Sequence, residues 1–168
     1  LFFFFLTVSS KPFDINDYKI DRFNPNVFES QKPFYAFFKS RGIDFATRCA
    51  FHHSFFLASK TAKDGSIYKN LSFTMHIHGQ HDKCVGLEER GYPRKDGSAR
   101  KGMATGTNAS EGLWMASPKN TALQDARIVL VFESAYDAMA FYQLQMRKES
   151  GLDQRGRQDL KAGVYVST

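Results

Sequence analysis

One junction constrains this chain more than any other: ARIVLVFESAYDAMAFYQLQMRK, residues 126–148, where an apolar run gives way to an amphipathic one. Ile128 to Phe132 is unbroken and rich in β-branched residues, too short for a helix and without the alternation of a half-exposed strand. It predicts a central strand over 127–132 covered on both faces. Ala138, Met139, Phe141, Tyr142 and Met146 recur at three- and four-residue spacings, predicting a helix from about 135 to 149 with one apolar side. Ser134, with Asp137 three residues on, matches a capping box, in which each partner satisfies a backbone N–H. The turn is therefore tight, and Glu133 stands at the carboxyl end of a strand, where open α/β sheets collect ligands. A carboxylate there is a metal ligand, an acid/base group or a solvated strand-end residue; Asp137 reads equally as a cap or as a ligand.

Upstream, LSFTMHIHG (71–79), the polar GQHD and KCVGLEERGY together read as a β-hairpin. PRKDGSARKGMATGTNASEGLW follows without helical or strand period and reads as an extended loop. Between positions 90 and 101, Arg90, Arg94, Lys95, Arg100 and Lys101 stand against the single acid Asp96. Such a patch attracts polyphosphates, and phosphate contacts dominate nucleic-acid affinity. Five glycines and two serines within 91–112 let backbone N–H groups approach an anion. The plainer alternative is a solvated surface loop. Trp114, between Leu113 and Met115, reads as a core side chain, with base stacking as the alternative.

Composition frames these sites. At 168 residues and 42% hydrophobic, the chain supports one ordinary core or two small subdomains sharing an interface. A formal charge of +6 and a pI near 9.3 favour an acidic partner such as nucleic acid. Two cysteines make no disulfide framework, in keeping with a cytoplasmic protein. Cys49 and His52 form a C-x-x-H pair with His53 adjacent, and His76, His78, His81 and Cys84 follow. A zinc site closes with a second tight pair, so zinc is not expected here.

LFFFFL at the start is far too short to span a membrane, and no basic segment or cleavage site surrounds it. The chain lacks an initiating Met and stops at KAGVYVST, where an apolar strand has only begun, so a fragment of a longer protein is expected. Lys11 to Lys32, polar with scattered aromatics, reads as a linker or irregular arm. From Pro33 a short helix should end near Arg41-Gly42, with Gly42 as its C-cap, and Asp44 or Thr47 should start a second.

The stretch V-F-E-S-A-Y-D-A-M-A-F resembles the first motif of the Toprim domain, shared by bacterial-type primases, topoisomerases and some nucleases. The Ser after Glu and the later Tyr-Gln-Leu make it most similar to the primase-like Toprim proteins of bacterial mobile elements. Gly86 and Arg90 in G-L-E-E-R, Lys101 in R-K-G-M, and Leu113-Trp114 resemble the catalytic core of bacterial primases ahead of that motif, although Glu88 and Glu89 stand where primases more often have small residues. The short helix with Arg-Gly-Ile-Asp resembles the small helical segment ahead of the core.

The resemblance implies an α+β protein: an arm or linker over 1–32, a primase-like α+β subdomain with a basic loop over 33–122, and a partial Toprim unit over 123–168. It implies metal-dependent nucleotidyl transfer on single-stranded DNA, with Glu133 as catalytic acid/base or metal-linked residue and Asp137 in support. Arg90, Arg94, Lys95, Arg100 and Lys101 would grip template or incoming nucleoside triphosphate, and a replicative helicase is a possible partner. Mg²⁺, or Mn²⁺, would need more than these two carboxylates. In the family the others form a D-x-D pair after the next strand, so this stretch alone is expected to be inactive. A nucleic-acid-binding module without catalysis and a Toprim nuclease are the alternatives.

Overall fold

Short turns with specific chemistry organise the middle of the chain into adjacent antiparallel strands. The computed structural model describes residues 11–77, 79–147 and 150–167, without the side chains of His81 and Asp82; LFFFFL, His78 and Thr168 lie outside the described residues. Strand β2 (Phe56–Thr61) turns into β3 (Ile67–Ile77) where Gly65 adopts φ 83° and the Asp64 carboxylate accepts from the Ser66 N–H at 3.0 Å. The predicted hairpin is present as β3 and β4 (Gln80–Arg90), with register irregularities around His76.

The Gly/Ser-rich basic segment is more ordered than an extended loop. Arg94 to Ser98 make a turn, Gly97 at φ 80°, that returns the chain as strand β5 (Lys101–Met103) against β4. Gly112–Ala116 then forms β6, antiparallel to the end of β3. Neither strand announces itself in sequence, because each is only three to five residues long and is held by its neighbour's ladder. Likewise, within the polar Lys11–Lys32 stretch, Lys19–Arg22 forms β1, which pairs with β2, and Phe28–Gln31 forms the short helix α1.

Two further helices precede β2: α2 (Tyr35–Lys39), after which Gly42 takes φ 66°, and α3 (Phe45–Ala50), whose N-cap Asp44 accepts from the Thr47 N–H at 2.8 Å. The junction at 126–148 forms strand β7 (Val129–Phe132) and helix α4 (Ala135–Met146). Helix α4 stops at Met146, since Arg147 is already extended at φ −68°, ψ 148°. Helix α5 (Gln154–Lys161) leads to β8 (Val164–Ser167), which inserts between β6 and β7, antiparallel to the first and parallel to the second.

The protein is therefore α+β; the described residues form one mixed eight-stranded sheet in the order β1-β2-β3-β6-β8-β7, with β4 and β5 branching from β3. The order corrects one expectation. Among the described residues strand β7 lies at the sheet edge rather than at its centre: Leu130 and Phe132 pack into the core, whereas Val129 and Val131 are 47% and 70% exposed. A continuous apolar run signals strand but does not reveal how many faces are covered.

The main core fills the sheet face under α2, α3 and α4 and is dominated by interlocking rings, among them Phe38, Phe51, Phe55, Phe73, Trp114 and Tyr165. Buried Gln143 fastens α4 to the helical segment, donating to the Gly42 carbonyl at 2.9 Å and accepting from the Asp44 N–H at 2.7 Å. A smaller core of Phe56, Ala58, Leu87 and Ala104 lies on the opposite face. Among the described residues no helix is long and apolar enough to cross a membrane.

Candidate functional site

The β7–α4 turn exposes two carboxylates above a buried anchor. Ser134 caps α4: its hydroxyl accepts from the Asp137 N–H at 3.3 Å and donates to the Asp137 carboxylate at 2.6 Å. The second half of the expected capping box is thus made to the Ser134 hydroxyl. Glu133 and Asp137 are both exposed, and among the described residues no hydrogen bond or ion pair engages the Glu133 carboxylate. Ser134, Ala135, Tyr136 and Ala138 are buried around them, so the carboxylates stand on a rigid base.

Tyr136 connects this turn to the β4 strand. Its ring lies in the core against Phe38 and Phe73, and its hydroxyl donates to the Phe37 carbonyl at 3.1 Å. Burial pushes the phenol well above its usual range, with Arg90 and Arg41 pulling the other way, so it stays protonated as that donor requires. The Arg41 and Arg90 guanidinium carbons lie 5.5 and 5.7 Å from the ring centre.

Arg90 does not occupy the place its sequence position suggested. Its side chain is buried in an ion pair with the equally buried Glu88 and also donates to the Glu89 carbonyl at 3.2 Å. It is an internal strut and not a surface phosphate contact. The cause lies in strand period: positions 88 and 90 share a face, here the one covered by α4, so Glu88 and Arg90 are buried together and must neutralise each other.

The remaining cations separate. Arg94 and Lys95 stand exposed on the β4–β5 turn. Lys101 pairs across the ladder with Arg90, and directly opposed residues share a face, so Lys101 is on the α4 side of the sheet. Arg100 is on the other side, lining a cleft of about 240 Å³ with Tyr18, Lys60, Tyr68 and Glu89. The five predicted basic residues therefore form no single patch: Lys101 and buried Arg90 belong to the face that carries the acidic turn, whereas Arg100 faces away.

Gly86 serves packing. A Cβ there would stand 2.1 Å from a Thr107 methyl, and the Thr107 hydroxyl accepts from the Leu87 N–H at 3.2 Å. Trp114 is buried, donating to the Ser54 carbonyl at 2.9 Å, and offers no face to a base. His52 Nδ1 lies 2.7 Å from the Cys49 carbonyl, and Cys84 donates to the Gly86 carbonyl at 3.3 Å, with burial raising both thiols above their ordinary range. Among the described residues no three His, Cys, Asp or Glu side chains come together as a metal-binding group. Tyr136 and Arg41 carry no functional signal in their residue type, and the i, i+2 spacing of Glu88 and Arg90 is the sequence signal for the ion pair.

Neither family models, nor curated proteins, nor solved structures give a match to this chain.

Proposed function

We propose that this chain carries part of a primase-like Toprim site, acting in metal-dependent nucleotidyl transfer on single-stranded DNA in the cytoplasm, in the replication or mobilisation of a mobile element. The contact between Arg90 and Tyr136 carries the reading: it joins the G-L-E-E-R strand to the E-S-A-Y-D turn, the two segments whose residues resemble primases. An exposed Glu133 beside a capped turn supports it, because a carboxylate with no hydrogen bond or ion pair among the described residues leaves its oxygens available to a cation or a proton.

Exposed carboxylate oxygens are hard donors that suit Mg²⁺ or Mn²⁺, so Glu133 and Asp137 would hold the ion, which supplies charge neutralisation at the entering and leaving oxygens. Glu133 provides oxygens that have no partner among the described residues. Asp137 is positioned by Ser134. Arg94, Lys95 and Lys101 bind phosphates of template or nucleoside triphosphate, while Arg90 holds β4 against the turn. A helicase partner belongs to this reading as well.

The capping bond of Asp137 favours a second reading, a nucleic-acid-binding module that keeps the scaffold and uses only the cations. Incubating the full-length protein with Mg²⁺, a single-stranded template and labelled nucleotides, and in parallel with labelled DNA, tests both. Labelled primers support the primase; shortened DNA indicates a Toprim nuclease; binding without either product indicates the module.

A further inference from the structure

The helical segment ahead of the sheet carries an open aromatic surface that the site above does not use. A groove of about 500 Å³ is lined by Phe28, Gln31, Lys32, Tyr35, Phe45 and Arg48. Its rings are 68% (Phe28), 54% (Tyr35) and 46% (Phe45) exposed, a concentration of apolar area that marks an interaction surface. Each ring has a cation over one of its faces: Lys32 is 5.0 Å from the Phe28 centre, Lys39 is 5.5 Å from Tyr35 and Arg48 is 5.5 Å from Phe45. The nearby acids are already engaged, Glu29 with Lys32 at 2.7 Å and Asp44 in capping α3.

Charge decides the occupant. An apolar protein helix laid in this groove would have to desolvate Lys39 and Arg48, which make no ion pair among the described residues, without neutralising them. A polyanion neutralises them, and unpaired bases present the flat π faces that exposed aromatic rings stack on; a duplex hides those faces. We propose that the groove between α1 and α3 is a stacking platform for single-stranded DNA, with bases on Phe28, Tyr35 and Phe45 and phosphates toward Lys32, Lys39 and Arg48. The inference rests on the nucleic-acid reading above and adds a contact surface apart from the β4–β5 turn.

Fluorescence anisotropy on the 168-residue chain tests it with two labelled strands of equal length, oligodeoxythymidylate and an abasic deoxyribose-phosphate chain. Phe28→Ala and Phe45→Ala should each weaken oligodeoxythymidylate binding about tenfold and leave the abasic strand unaffected. Lys32→Ala with Arg48→Ala should weaken both strands. Phe28→Trp should retain full affinity, which separates stacking from a folding defect. Equal losses on both strands, no loss on either, or ring-dependent binding of oligouridylate in place of the deoxy strand would overturn the platform. Binding of neither strand by the unmodified chain would sink the nucleic-acid reading itself, whereas tight binding of both that ignores ring removal would sink only the platform.

Discussion

The guanidinium of Arg90, at the end of β4, lies 5.7 Å from the centre of the Tyr136 ring in the first turn of α4, and its charge is met by buried Glu88. Removing one member of such a pair leaves the other desolvated and uncompensated. Arg90→Met should therefore destabilise the protein by about 3–5 kcal/mol in urea denaturation, and Glu88→Leu in the same chain should recover much of the loss. A stable Arg90→Met protein whose only defect was weak DNA binding would instead return Arg90 to the phosphate-gripping role.

Ser134 both caps α4 and steadies Asp137. Ser134→Ala should cost about 1 kcal/mol in the same assay and speed hydrogen exchange at the Asp137 amide. Ser134→Asp, which keeps a capping acceptor, should restore protection of that amide.

Arg94 and Lys101 are exposed, so their loss should leave stability within about 0.5 kcal/mol of the parent. If they contact phosphates, Arg94→Ala with Lys101→Ala should weaken single-stranded DNA binding and flatten the log–log salt slope by about 1.4. Titrations at several salt concentrations decide the matter: an unchanged slope means that the turn grips no phosphate.

The local caps and turns were legible because they depend on near neighbours in sequence. The strand-to-helix change, the Ser134 cap, the Asp44 cap and the left-handed Gly42 follow from spacing and residue type within a few positions, and all are present. What failed depends on distant partners. That β7 lies at the sheet edge is decided by where β8 inserts, and nothing in Ile128 to Phe132 encodes that. Lys101–Met103 becomes a strand because β4 offers it a ladder, in spite of its Gly-rich neighbourhood. Arg90 reads as a surface cation from charge alone, and only its two-residue offset from Glu88 on the face packed against Tyr136 explains its burial.

Glu133 is the residue on which the account depends, and its exposed carboxylate permits a substitution that changes charge without disturbing packing. The decisive measurement is Mg²⁺-dependent primer synthesis by full-length Glu133→Gln protein, alongside its affinity for single-stranded DNA. The account predicts that synthesis falls to background while affinity stays within about twofold, a difference of under 0.5 kcal/mol. Synthesis at the parent rate, or a loss that merely tracks weakened binding, would contradict it.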